Sequence, residues 1–99
     1  MTEFTITRED AKSSGRYIAQ LDGYPDAEMT YSRAGETLLI IDHTAVPDEL
    51  RGKSAGLALV TRAVEDARAD GTKILPLCPF AKAQFDKHPD WADVLNKRG

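Results

Sequence analysis

The chain has little cysteine and no long apolar run. Its single cysteine, Cys78, rules out a disulfide within the chain, as is typical of proteins from reducing compartments. No apolar stretch approaches the roughly 20 residues of a membrane-spanning helix. Residues 1–5 show no basic segment followed by apolar residues, so no signal peptide is expected. We therefore expect a cytoplasmic protein that does not enter a membrane.

Positive charge is not in excess either. The chain has 13 Lys and Arg against 16 Asp and Glu, a net charge of −3. This balance argues against a general nucleic-acid binder, which usually presents a basic face. Arg51 and Lys53 nevertheless lie close together, and a local site for a small anion fits that pair better. With 99 residues, 41% of them hydrophobic, the chain is expected to form one domain over residues 1–99, as a monomer or weak dimer.

Apolar periodicity in the first half of the chain predicts a sheet. Period-two alternation indicates strands around residues 4–7, 17–21 and 28–32, with a turn at 22–25. Residues 34–36 are typical of a hairpin turn. The continuous apolar run Leu38–Ile41 predicts a central strand covered on both faces.

The second half predicts helices around one further strand. Leu57, Val60 and Val64 recur at helical spacing within residues 54–70, and Gly71 is a natural end. A short strand at 73–78, a helix at 81–88 and a final helical turn at 89–95 follow. The order of four strands, helix, strand and helix predicts an α+β or α/β fold: a mostly antiparallel sheet, one parallel βαβ crossover and a C-terminal helical region.

Residues 46–56 connect the apolar strand to the long helix by a basic turn that contains glycine. Such a turn can bind phosphate, because the first amides of a helix lack partners inside it and the helix dipole attracts anions. Gly52 and Gly56 allow close approach of a ligand, and Arg51 and Lys53 add charge. The alternative is an ordinary loop with a solvated basic pair. A dinucleotide-binding Gly-x-Gly-x-x-Gly pattern is absent, and Gly52-Lys53-Ser54 lacks the earlier glycine of a Walker motif.

The turn resembles the Arg/Gln-x-x-Gly-x-Gly/Ala motif of the GNAT superfamily of acetyl-CoA-dependent N-acetyltransferases, with Arg51, Ser54 and Gly56 at the matching positions. Ser54 stands where that family usually has glycine. With the flanking segments 43–47 and 76–80, the chain looks like the small single-domain GNAT-like family with a YjdJ-type domain, over about residues 16–95. The resemblance implies a GNAT-like fold whose two parallel strands part around the cofactor. Pro76 would suit such a parting strand, or would simply mark an edge strand.

The resemblance also implies a cofactor site and an activity. Acetyl-CoA would be the co-substrate, no metal would take part, and an amine, either a small molecule or a protein, would accept the acetyl group. The implied cofactor-binding residues occupy the end of the apolar strand and the turn: Thr44, Ala45, Val46, Arg51, Gly52, Lys53, Ser54, Ala55 and Gly56. Backbone amides at 44–46 would polarise the thioester carbonyl, as in an oxyanion hole.

Cys78 and His43 are the candidate catalytic residues. Cys78 is the last residue of the last predicted strand, at the end where α/β proteins bind ligands, and the resembled family has a cysteine there. It could be a nucleophile, an acid that restores the leaving thiolate, or a small buried hydrophobe. His43 could be the base that deprotonates the amine, or a structural histidine. His43, His88 and Cys78 lack the close spacing of metal ligands.

Two departures from the resembled family favour a rival function. Phe85 stands where many members carry a tyrosine, which larger GNAT enzymes use as general acid, and the chain lacks their further C-terminal strands. These departures favour a module or sensor that binds acyl-CoA with little or no turnover. A structural or interaction module without a cofactor would leave the basic turn unexplained.

Overall fold

The sheet and two helices that the sequence predicts are present in the computed structural model, which describes residues 4–96. In chain order the elements are β1 (Thr5–Asp10), β2 (Ser14–Gln20), β3 (Ala27–Ala34), β4 (Leu38–Ala45), a 3₁₀ turn (Asp48–Leu50), α1 (Ala55–Asp70), β5 (Lys73–Pro76), α2 (Pro79–Lys87) and a second 3₁₀ turn (Pro89–Trp91). The strands form one sheet in the order β1-β2-β3-β4-β5. The first three pairings are antiparallel and β4–β5 is parallel, so the predicted sheet with one parallel β4–α1–β5 crossover is confirmed.

Only one face of the sheet is covered by helices. Along β3 and β4, the side chains of Met29, Tyr31, Leu39 and Ile41 are buried, and they join one core with the apolar sides of both α1 and α2. Leu38, Ile40 and Ile18 are only half-buried. The prediction that the apolar run is covered on both faces is therefore wrong, because successive side chains of a strand point to opposite faces and both helices contribute to the same core. We call the other side of the sheet the open face.

Helix α1 follows the predicted period and ends where glycine permits it. Its buried residues recur every three or four positions and include Leu59, Val60, Ala63 and Val64. At its C-terminus Gly71 adopts a left-handed conformation, with φ of +74°, and its backbone N–H caps the carbonyl of Ala67.

An ion-pair network fixes α1 against the first two strands. Asp66 accepts a hydrogen bond from the Tyr17 hydroxyl at 2.8 Å and one from Arg62 Nε at 3.2 Å, and it pairs with an Arg8 guanidinium nitrogen at 3.1 Å. The Tyr17 ring itself is fully buried. The network therefore joins β1, β2 and α1 at the edge of the core.

The two parallel strands part at Pro76. Strand β5 pairs with β4 from Leu38 to Ile41 and ends at Pro76, two residues earlier than the predicted end at Cys78. The backbone amides of Leu77 and Cys78 both donate to the Ile41 carbonyl, so the chain leaves the sheet there. Strand β4 continues alone on that side to Ala45. Pro76 thus fits both predicted roles, since β5 is last in the strand order and pairing stops at this residue.

The C-terminal region joins the core through α2 and the 3₁₀ turn that follows it. Helix α2 begins at Pro79, two residues before the predicted start, because proline suits the first helical position. Trp91 is buried and contacts Phe85 edge to face with ring centroids 5.3 Å apart. His88 ends α2 as expected and stacks on Trp91 at 4.1 Å.

Candidate functional site

A β-bulge in β4 decides which face of the sheet each candidate residue occupies. Thr30 pairs with His43 and Tyr31 pairs with Ile41, so Asp42 is an extra residue without a partner in β3. The Ser32 hydroxyl donates to the Asp42 carboxylate at 2.6 Å. After the bulge the alternation is shifted. Ile41 and Thr44 point toward the helices, whereas His43 is exposed with Thr30 on the open face.

A cleft of about 520 Å³ lies between the end of β4, the basic turn and α2. Its lining includes seven of the predicted site residues and four that were not predicted: Thr44, Val46, Arg51, Gly52, Ser54, Ala55 and Gly56, then Leu50, Leu57, Phe80 and Gln84. We call it the turn cleft. The end of β4 and the turn thus line one cleft.

The backbone of the turn presents unpaired amides. Gly52 has φ of +79° and Ser54 has φ of +67°, and Ser54 is the one described residue other than glycine in the left-handed region. The first α1 hydrogen bond runs from the Ala58 amide to the Ser54 carbonyl, and the Ser54 side chain caps nothing. Within residues 4–96 no acceptor is found for the amides of Ser54 and Ala55. A left-handed residue followed by helical ones turns successive amides toward one point, which suits an anion.

The two basic side chains of the turn have partners. Arg51 Nε lies 3.2 Å from Asp48 Oδ1, and both side chains are at least 80% exposed. The Lys53 ammonium lies over the Tyr24 ring, 5.0 Å from its centroid, and does not line the turn cleft. Arg51 is thus a lining residue whose charge is shared with Asp48, while Lys53 ties the turn to the β2–β3 loop.

Cys78 lies between the parting strands as the N-cap residue of α2. Its side chain is only 5% exposed, and Sγ lies 3.5 Å from Thr44 Oγ1. Burial raises the pKa of the Cys78 thiol, but hydrogen bonds from the Thr44 hydroxyl and from the amides of Phe80 and Ala81 outweigh it, so the pKa is lower than the ordinary 9.0. Cys78 is therefore a core residue by packing, and the hydrogen bonds around it lower the pKa of its thiol.

Phe80 forms one wall of the turn cleft by lying on Gly56. A Cβ atom at Gly56 would stand 2.4 Å from Cζ of the Phe80 ring. Close approach of the ring is thus a second reason for glycine at this position, besides access for a ligand. Phe80 is 37% exposed, and sequence patterns alone do not identify it, because an aromatic residue in a short helix is ordinarily part of a core.

A second cleft, of about 600 Å³, lies on the other side of the β4 end. Its lining comes from three strands and their loops: Arg16, Ile18, Asp26, Glu28, Thr44, Ala45, Val46 and Pro47. We call it the open-face cleft. It shares Thr44 and Val46 with the turn cleft, and it takes in Ala45, the remaining strand-end candidate. Arg16, Asp26 and Glu28 were not predicted, because charged residues on strands and in the loops between them are usually solvated.

His43 lines neither cleft, although it is adjacent to Thr44 in the chain. Within residues 4–96, no group of three or more His, Cys, Asp or Glu side chains is placed to hold a metal ion. Over the same range, the helices are all too short or too polar to cross a membrane.

Comparison with known proteins identifies the family. Residues 16–94 match the model of the GCN5-related N-acetyl-transferase family, and the chain belongs to that family. The fold is similar to the NMR solution structure of a GCN5-like protein from Staphylococcus aureus that carries a provisional assignment as an N-acetyltransferase. That match has a TM-score of 0.71 and 31% sequence identity, and covers 94% of this chain and 90% of the other. A comparison with curated protein sequences gives no match.

Proposed function

We propose that the protein is an N-acetyltransferase that binds acetyl-CoA in the turn cleft and transfers the acetyl group to an amine. The observation that carries the proposal is the unpaired amides at Ser54 and Ala55, placed where β4 and β5 part. The amides would hold the pyrophosphate, with Gly52 and Gly56 leaving room and Arg51 adding charge. Family membership supports the co-substrate, because GNAT proteins typically use acetyl-CoA.

The reaction requires one bond to form and one to break. The neutral amine attacks the acyl carbon, the new C–N bond forms, the C–S bond breaks, and the thiolate of CoA takes a proton while the amine loses one. Backbone amides at Thr44, Ala45 and Val46 would stabilise negative charge on the carbonyl oxygen. Holding both reactants beside this strand end supplies much of the rate.

Cys78 and His43 would handle the two protons from opposite faces of the sheet. Cys78 lies on the helix-covered side, against Thr44, where it can protonate the leaving thiolate. His43 lies on the open face and is exposed, so it would take the amine proton through water or after a side-chain rotation. A covalent route, in which the Cys78 thiolate first takes the acetyl group and CoA leaves, balances equally and would give ping-pong kinetics.

A module that binds acyl-CoA without efficient turnover is the second candidate. The specific observation in its favour is Phe85, which is buried against Trp91 at the position where many family members are expected to carry tyrosine. A ring without a hydroxyl can pack there but cannot donate a proton.

Three measurements test the proposal. The melting temperature should rise with the concentration of CoA and much less with adenosine. At a CoA concentration of 100 times its Kd, the gain in the free energy of unfolding should be about 2.7 kcal/mol. No shift at millimolar CoA would contradict the site. Thiol release from acetyl-CoA with added amines then separates the enzyme from the binding module. A mass spectrum after incubation with acetyl-CoA distinguishes acetylated Cys78 from direct transfer.

A further inference from the structure

Apart from the strand end at Thr44–Val46, the open-face cleft has no part in the proposed co-substrate site, and we propose that it takes the acceptor: an aliphatic amine that carries a second positive charge. This inference rests on the proposed function and adds the chemical class of the acceptor. The cleft is a cavity of about 600 Å³, large enough for a small molecule, and one part of its wall is the strand end at Thr44–Val46.

The position of the cleft suits an acceptor. Thr44 and Val46 line both clefts, so the two cavities meet at the end of β4 from opposite sides. A group bound in the turn cleft leaves the open face free. An amine seated there approaches the strand end directly, and His43 projects from the same face because of the bulge at Asp42. Two reactants held on the two sides of one strand end need little further ordering to react.

The charges in the cleft indicate a cation. Arg16 is already paired, with Nε 2.8 Å from Glu9 and a terminal nitrogen 3.0 Å from Glu28. Asp26 makes no side-chain hydrogen bond or ion pair with the residues that the structure describes. Arg16 is therefore shared between two carboxylates, and the Asp26 carboxylate is the negative charge of the cleft that has no such partner among the described residues.

The reacting amine itself is a poor partner for that carboxylate. An amine attacks only after it has lost its proton, and a nearby carboxylate favours the protonated form. Asp26 would therefore oppose the reaction if it paired with the attacking nitrogen, and would assist binding if it paired with a second ammonium.

The floor of the cleft crosses three neighbouring strands, on which the aligned residues are Ile18, Glu28 and Ala45. The half-buried Ile18 offers an apolar surface for the methylene chain of the acceptor.

The test compares two acceptors that differ only in the second charge, 1,5-diaminopentane and 1-aminopentane. In the wild-type protein we expect kcat/KM to be about fivefold higher for the diamine, the scale of one partly solvated ion pair. In Asp26→Asn the preference should fall to the statistical advantage of a molecule with two equivalent amines, while kcat/KM for the monoamine and the affinity for CoA stay unchanged. Asp22→Asn, which removes a carboxylate from the same β2–β3 loop outside the cleft, is the matched control and should keep the preference.

A binding measurement without turnover keeps the two proposals separable. In protein saturated with CoA, 1,5-diaminopentane should shift the amide NMR signals of Ile18, Glu28 and Ala45 saturably, and Asp26→Asn should weaken that binding about fivefold. Absence of these shifts, or the same diamine preference in Asp26→Asn and wild type, overturns the acceptor assignment even if CoA binds. Failure of CoA to bind overturns the proposed function instead. If the protein preferred a Lys-Lys peptide with both termini blocked over the diamine, the acceptor would be a polypeptide that presents two positive charges.

Discussion

The Cys78 thiol lies 3.5 Å from the Thr44 hydroxyl, although 34 residues separate the two in the chain. This contact joins the end of β4 to the start of α2 at the point where the parallel strands have parted. It places the single thiol beside the strand end that both clefts share.

Thr44→Val should make Cys78 less reactive, because it removes the hydroxyl that helps to lower the thiol pKa. The rate of iodoacetamide alkylation, followed by mass spectrometry against pH, should have its midpoint below 9.0 in the wild type and at a higher pH in the variant. Thr44→Ser should restore the wild-type midpoint. Identical midpoints in all three proteins would exclude the hydroxyl as the cause.

Ser54→Gly should stabilise the fold by about 1 kcal/mol, because a residue with a side chain is strained at positive φ and glycine is not. Urea denaturation measures the gain. Ser54→Ala is the control: it removes a hydroxyl that caps nothing and keeps the strain, so it should bring no gain. CoA affinity should be retained or tightened in Ser54→Gly. A gain of equal size in Ser54→Ala would show that strain is not the cause.

Gly56→Ala should fold well but bind CoA more weakly. The new methyl group must displace the Phe80 ring, which is partly exposed and can move, while alanine favours the helix by about 1 kcal/mol. Calorimetric titration with CoA measures the loss, and Gly56→Glu, which adds bulk and negative charge, should lose more. Adding Phe80→Ala to Gly56→Ala should restore part of the affinity, and unchanged affinity in Gly56→Glu would place the phosphate site elsewhere.

Arg51 and Asp48 should have opposite effects on CoA affinity. Arg51→Ala removes a charge beside the turn and should weaken binding, whereas Asp48→Asn releases Arg51 from its ion pair and should tighten binding. Both effects should shrink as the salt concentration rises, because the side chains are exposed. Asp48→Asn in an Arg51→Ala background should tighten binding less than it does alone. Equal effects in both backgrounds would show that Asp48 does not act through Arg51.

Asp66 should make stability depend on acid pH. Burial raises the pKa of its carboxyl, but hydrogen bonds from Tyr17 and Arg62 and the charges of Arg62 and Arg8 outweigh this and leave the pKa below the ordinary 3.8. The folded state therefore gains stability above pH 3.8 and loses it as the pH falls through the lowered pKa. Asp66→Asn should lower the free energy of unfolding at pH 7 by about 1–3 kcal/mol and flatten its decline in acid. Denaturation curves from pH 7 to pH 2 test this, and parallel declines in both proteins would contradict it.

The order of the elements could be predicted from the sequence because it depends on local patterns. Alternation, helical spacing and Gly71 place the strands and α1 to within a few residues. The face of each candidate residue could not be predicted, since the bulge at Asp42 depends on how β3 pairs with β4. The same holds for Phe80 and Asp26, which reach their clefts only through contacts between distant segments.

The predicted site residues do not all line the turn cleft, for a similar reason. Most of the turn residues line it because a left-handed residue and a helix start are local features. Lys53 departs from the expected lining because its side chain is long and finds Tyr24 on another loop. The roles of Cys78 and His43 stay predictions, since they depend on where a bound thioester and amine would lie.

The bulge at Asp42 shifts the alternation of side chains along β4 by one residue, without any change in the residues that follow. If Asp42 paired regularly with β3 instead of forming the bulge, the buried pattern up to Ile41 would stay intact but the two residues that follow would exchange directions, with His43 turned toward the helices and Thr44 toward solvent. Cys78 would then lose its hydroxyl partner while every other side chain was conserved. The proposed placement of a base and an acid on opposite sides of the sheet therefore depends on one extra residue in β4.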